Sequence, residues 1–201
     1  MDLKKGRWLI LDTAMPEWVV GLLEEGKERY WESHSEPVLE GLFECLNRIF
    51  PKNEWFFSLN VIVFCHGPGS HLGIRAVCLF LRTLQVLPAY GSLSIYAYNA
   101  LYLAQLFQKE RGIPSPYRLV ARAGWDKVYH LDVEDENRFL TIGETPFTSF
   151  DGGTQDIYGL PFGPKNCWPH RVDYHPTAET FFGAPVELFR SVTTPDVFRL
   201  P

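Results

Sequence analysis

The sequence is short of every feature that marks a membrane, redox or strongly basic protein. None of its 201 residues falls in a run approaching the roughly 18 unbroken apolar positions a membrane span needs. The start after Met1 is polar and charged (Asp2, Lys4, Lys5, Arg7), so a cytoplasmic protein without a membrane partner is expected. The four cysteines, Cys45, Cys65, Cys78 and Cys167, form no C-x-x-C pair and lie in or near apolar segments, as reduced, buried thiols do. Positive charge is not in excess: 19 Lys and Arg against 24 Asp and Glu leave a net charge of -5, which gives no pull toward a nucleic-acid backbone. The six histidines (34, 66, 71, 130, 170, 175) make no H-x-x-x-H pair. His66 and His71, like His170 and His175, are five apart and do not share a helix face, so no metal site is expected. Ser70 stands in no G-x-S-x-G elbow, and no acid can be assigned to orient His71 as a base, which excludes a recognisable hydrolase nucleophile.

What is present is the composition of a folded globular chain: 46% hydrophobic, 21% charged and 15% aromatic residues, enough for one domain or two small lobes. RWLILDTA (7 to 14), EWVVGLLEEG (17 to 26) and KERYWES (27 to 33) predict three strands in an antiparallel meander, with turns at Met15-Pro16 and Glu25-Gly26. Ser33 or Ser35 then caps a helix with Pro37 in its first turn, and Val38, Leu42, Leu46 and Ile49 follow at helical spacing as far as Pro51. NVIVFCHG (60 to 67) reads as a strand covered on both faces. Helices are predicted from about Ser70 to Val86 and over 97 to 112, with SLSIY as a strand or connection between them.

The resulting order, β-β-β-α-β-α-β-α, predicts an α/β actin-like or ribonuclease-H-like lobe over 1–112. After the linker GIPSP, a smaller second lobe is expected over 117–201. It opens with a strand pair around Gly124 and holds a weak helix near 177 to 189. From Thr141 onward the periodicity fades, and FDGGTQD (150 to 156) reads as a surface turn.

The stretch CHGPGSHLGIR (65 to 75) places a glycine-rich turn between a strand and a helix without matching a phosphate loop. Gly67 to Gly73 has G-x-G-x-x-x-G spacing, and no G-K-[ST] follows to set a lysine on a phosphate. Read from the residues, Gly67, Pro68 and Gly69 make a sharp turn, Ser70 caps the helix and Gly73 allows close packing. GPGSHLGIR resembles the GPGSFTGLR motif of the TsaB (YeaZ) family. LILDTA resembles that family's opening strand, ESHSEPVLEGL its H[ST]xxLLP helix start with His34 at the histidine, and SLSIYAYNALYLA its SSLEALA segment. ARAGWDKVY is similar to DARxGEVY, with Arg122 in place of the acidic residue, and TTPDVFRLP to the terminal PxYLR. His71-Leu72 stands where the family motif has Phe-Thr.

The resemblance implies an actin-like (ASKHA) fold with a divergent second lobe, and a non-catalytic subunit. Such a subunit binds and activates TsaD in threonylcarbamoyl modification of tRNA adenosine, with the ATPase TsaE joining the assembly. It implies a homodimer as the alternative pairing when the chain is alone, tRNA only as substrate of the complex, and no cofactor of its own, a nucleotide at the partner joint being the open alternative. The competing reading is a small actin-like nucleotide-binding enzyme of ATPase or kinase type, in which Asp12 would stand near metal and phosphates. Without the phosphate hairpin that reading requires, Asp12 is expected to be a turn or cap residue.

If pairing is the task, a helix face should be too apolar for a monomer. In the first helix Val38, Leu42, Leu46 and Ile49 form one stripe, with Leu39, Phe43 and Phe50 on its neighbour. In the second, Ile74, Val77, Cys78, Leu81 and Leu84 form one stripe while Leu72, Ala76, Leu79 and Phe80 occupy others. The first stripe of each helix is the expected partner interface, the alternative being that both helices are simply central to a three-layer domain, and the glycine turn aims and braces the second helix. The six tryptophans have no basic patch interleaved with them and read as packing residues.

Overall fold

The computed structural model describes residues 5–50, 59–87, 93–123, 127–135, 141–147, 150, 156–161 and 168–193. The expected turn at Gly124, the Gly-Gly pair within FDGGTQD, the ends at Pro51 and Pro88, Cys167 and most of TTPDVFRLP lie outside them. By its internal contacts the chain forms two compact units. The first is Met1–His66, Ser70–Tyr98 and Pro176–Pro201; the second is Gly67–Gly69 and Asn99–His175.

In the first unit, β1 (Arg7–Asp12), β2 (Trp18–Glu24) and β3 (Lys27–His34) form the predicted antiparallel meander. β1 and β2 are apolar on both faces because both are covered, whereas β3 begins with exposed Lys27, Glu28 and Arg29, the charged dress of an edge strand. The two-residue turn between β2 and β3 puts Glu25 (φ 49°) and Gly26 (φ 71°) both in the left-handed region, as a type I′ hairpin turn demands. α1 (Val38–Ile49) follows, then β4 (Val61–Cys65), α2 (His71–Gln85) and β5 (Ser94–Tyr98). β4 lies parallel to β1 and β5 parallel to β4. With β11 (Arg190–Ser191) on the outside, the sheet runs β11-β5-β4-β1-β2-β3. This meander with helical crossovers is the actin-like, ribonuclease-H-like arrangement, an α/β fold.

The sheet is covered on both faces. Tyr30, Glu32 and His34 alternate along β3 on the side of α1. Trp31 points the other way, where its Nε1 donates to Pro176 O (3.0 Å) and its ring packs 5.8 Å from that of Phe181 on α4 (Ala178–Gly183). Thr177 and Thr180 form a capping box at the start of α4. Phe181 also packs edge-on to Tyr98 (5.4 Å).

The second unit holds α3 (Ala100–Glu110) and a five-stranded sheet. Its strands are β6 (Tyr117–Ala123), β7 (Lys127–Val133), β8 (Gly143–Pro146), β9 (Asp156–Gly159) and β10 (His170–Arg171), in the order β10-β9-β6-β7-β8. β6 and β7 pair antiparallel from Tyr117↔Val133 to Ala123↔Lys127, and β9 lies parallel to β6. α3 packs on β6 and β7.

Two expectations need correction. The division at 112–117 is not where the contacts divide the chain: α3 covers the β6–β7 sheet, and the segment from Pro176 returns to the first unit, where Trp31, Tyr98 and Phe181 hold it. The cap of α1 is not Ser33 or Ser35. The N-cap position is Pro37, which has no side-chain donor or acceptor, while Ser33 is drawn into β3 by pairing with Val19. Among the described residues no helix is long and apolar enough to cross a membrane.

Candidate functional site

The glycine turn joins a fully buried strand to an exposed helix start. Gly67 (φ 115°) takes a backbone conformation that side chains disfavour, and its carbonyl accepts from Ala100 N (2.8 Å). Ser70 N donates to Ala14 O (2.7 Å), and Ser70 Oγ accepts from Gly73 N (3.2 Å), capping α2. A Cβ on Gly73 would stand 2.1 Å from Thr13 O, so only glycine lets the first turn of α2 sit this close to the loop after β1. Asp12, at the end of β1, is buried. Its Oδ1 accepts from Ala14 N (3.2 Å), an Asx turn, and its Oδ2 accepts from the Tyr98 hydroxyl (2.6 Å). The 12–14 loop that receives α2 is thereby fixed from inside the sheet.

The stripes expected to meet a partner lie inside the protein. Leu42 and Leu46 on α1, and Ile74, Val77, Cys78 and Leu81 on α2, are each no more than 4% exposed, and Val38 is half-buried. Burial pushes the Cys78 thiol above its ordinary value, with Arg82 opposing. Each helix has two apolar stripes, and these are the ones taken into the core, where burial of a Leu-sized side chain is worth about 1.5–3 kcal/mol.

Of the other apolar positions, Phe50, Ala76 and Phe80 are buried as well, and the rest are left in solvent. Leu39 (49%) and Phe43 (51%) are exposed one turn apart on α1. On α2 Leu72 (59%), Leu79 (60%) and, just past its end, Val86 (68%) recur every seven residues along one line. The two helices pack on each other, Phe43 meeting buried Phe80 edge-on at 6.2 Å. Together they present a double row of large apolar side chains, flanked by exposed Glu40, Glu44 and Arg75. Isolated surface leucines are ordinary; here five large apolar side chains stand exposed on or beside two helices that pack together.

His34, matched to the family histidine, is buried where β3 leads into α1. Its ring stacks on Trp18 (4.3 Å, 20°), and Nδ1 faces Glu36 Oε1 at 3.1 Å. Trp18 Nε1 donates to Glu36 O (2.7 Å). The Glu36 carboxyl is held below its ordinary value, chiefly by its own backbone amide and further by His34. Donor atoms of Glu32, His34 and Cys45 all lie within 4.8 Å of one another, a group that histidine spacing alone could not reveal because it joins a strand to a helix. Burial pushes the Cys45 thiol up to about 11. In the second unit, Arg122 lies over the Phe147 ring (5.3 Å), so this position carries a stacked cation where the family pattern has an acid.

No protein-family model matches the chain, and no curated protein matches it. Among solved structures, the chain is similar to YeaZ from Pseudomonas aeruginosa (TM-score 0.60, 19% identity, 88% of this chain and 89% of that one). It is also similar to an uncharacterized protein, described as similar to peptidase YEAZ from Pseudomonas aeruginosa (TM-score 0.57, 20% identity, 88% of each chain). The fold is therefore that of YeaZ over nearly the whole chain.

Proposed function

We propose that this chain is a TsaB-like partner subunit that binds and activates a TsaD-like protein through the exposed stripes of α1 and α2. On this reading it supports threonylcarbamoyl modification of tRNA adenosine without performing the chemistry, in an assembly that a TsaE-like ATPase joins. tRNA is then the substrate of the complex, and the free chain pairs with a second copy when the partner is missing.

One observation carries the proposal: Leu39, Phe43, Leu72, Leu79 and Val86 stand exposed on adjoining helices of a YeaZ-type fold. Interfaces take their affinity from a few large apolar anchors surrounded by polar residues, and this surface has that composition. The interior arrangement supports a scaffolding role over the nucleotide-binding alternative. Both Asp12 oxygens are engaged by Ala14 N and the Tyr98 hydroxyl, and Ser70 Oγ serves as a helix cap. The test is association with the TsaD protein of the same organism, using Phe43→Asp and Leu79→Glu. Each change adds a charge to the solvent-facing side of a helix, so folding persists while a centre-of-interface contact is lost, with affinity falling at least about 30-fold.

A further inference from the structure

We propose that Glu32, His34 and Cys45 form a binding site for a borderline-soft divalent cation of the zinc class, pinning α1 to the edge strand β3. Glu32 and His34 are two apart on β3 and so share the face toward α1, which contributes Cys45. The donor set, one thiolate sulfur, one imidazole nitrogen and one carboxylate oxygen, is that of zinc-class ions rather than of calcium or magnesium.

The imidazole is set up as a ligand. Its side chain is 6% exposed, the Trp18 ring fixes its plane, and Glu36 Oε1 takes Nδ1 at 3.1 Å. In the neutral ring a proton on Nδ1 leaves Nε2 with its lone pair, and Nε2 is buried without a hydrogen-bond partner. A carboxylate on the far nitrogen of a histidine is the usual outer support of a metal ligand. Nε2 lies 3.3 Å from Glu32 Oε2 without a hydrogen bond between them. That separation equals the edge of a tetrahedron with ligand bonds of about 2.0–2.1 Å.

In the metal-free protein Glu32 Oε2 is also held by the Tyr30 hydroxyl and by Arg48 Nη2 (3.1 Å), and Tyr30 Oη stands 3.5 Å from Cys45 Sγ. Binding exchanges the Arg48 contact for the cation and the Cys45 S–H bond for a metal–sulfur bond, with the proton released to solvent. Glu32 is the half-exposed member and gives the ion its way in; the fourth position is left to water.

The test uses the intact chain, freed of metal with a chelator and titrated with cobalt chloride, then zinc chloride. The expected result is one Co²⁺ per chain with a thiolate-to-cobalt charge-transfer band, displaced by Zn²⁺, and one proton released. Cys45→Ser removes the band, Cys78→Ser keeps it, and His34→Gln weakens uptake at least about 10-fold. If Cys45→Ser fails to fold, alkylation of the wild-type chain during brief unfolding decides: Zn²⁺ selectively shields Cys45 among the cysteines. Absence of one-to-one uptake by the folded wild type, a band that survives Cys45→Ser, or zinc that shields no cysteine each overturns the proposal.

Discussion

Gly73 rests against the carbonyl of Thr13, and a Cβ at this position would meet that oxygen at 2.1 Å. Backbone cannot swing aside as a side-chain tip can, so Gly73→Ala must push the start of α2 away from the loop after β1. A destabilisation of about 1–3 kcal/mol is expected in chemical denaturation, with Ser70→Ala, which loses only the cap, nearer 1 kcal/mol. A neutral Gly73→Ala contradicts this packing.

Tyr98 joins the sheet interior to the same loop through its hydroxyl on Asp12 Oδ2. Tyr98→Phe leaves a buried carboxylate one hydrogen bond short, so a loss of about 1–3 kcal/mol in urea unfolding is expected.

The two apolar stripes of α2 predict opposite behaviours for neighbouring leucines. Leu81 is fully buried, so Leu81→Ala costs about 2–5 kcal/mol of stability whatever the partner does. Leu79 is 60% exposed, and Leu79→Ser shifts stability by less than about 0.5 kcal/mol while weakening association. Thermal melts and binding measured on the same two variants check the pair.

The Cys78 thiol is raised above its ordinary value of 9.0 by burial. A raised folded value means that folding favours the protonated thiol. The stability this contributes is fully present below about pH 9 and lost as pH rises through the higher folded value. Native protein at pH 8 should therefore resist alkylation at Cys78, as peptide mass mapping would show; fast labelling contradicts its place in the core.

If a nucleotide-binding enzyme were the right description, ATP with magnesium at 100 times Kd would add about 2.7 kcal/mol to the folded state. The expected thermal shift is none.

Much of this was legible in the chain because period and punctuation agreed. The alternation of KERYWES, the unbroken VIVFC and the capped, glycine-opened helix at 71 each admit one local structure. The strands β8 to β11 were missed because they are two to four residues long and take their pairing from neighbours rather than from their own pattern. Which stripe of each helix is buried is not legible for a related reason. With apolar residues on both Ile74–Leu81 and Leu72–Leu79, periodicity shows two faces but not which one the sheet takes. The Glu32, His34 and Cys45 group escaped because no sequence spacing encodes a strand meeting a helix.

Size-exclusion chromatography with light scattering, on the chain mixed with the TsaD protein of its own organism, tests the central claim most directly. The wild type should form a one-to-one complex that Phe43→Asp combined with Leu79→Glu abolishes, while the helix content read by circular dichroism stays that of the wild type. A wild-type chain that ignores TsaD, or a doubly charged variant that still binds it, contradicts the account.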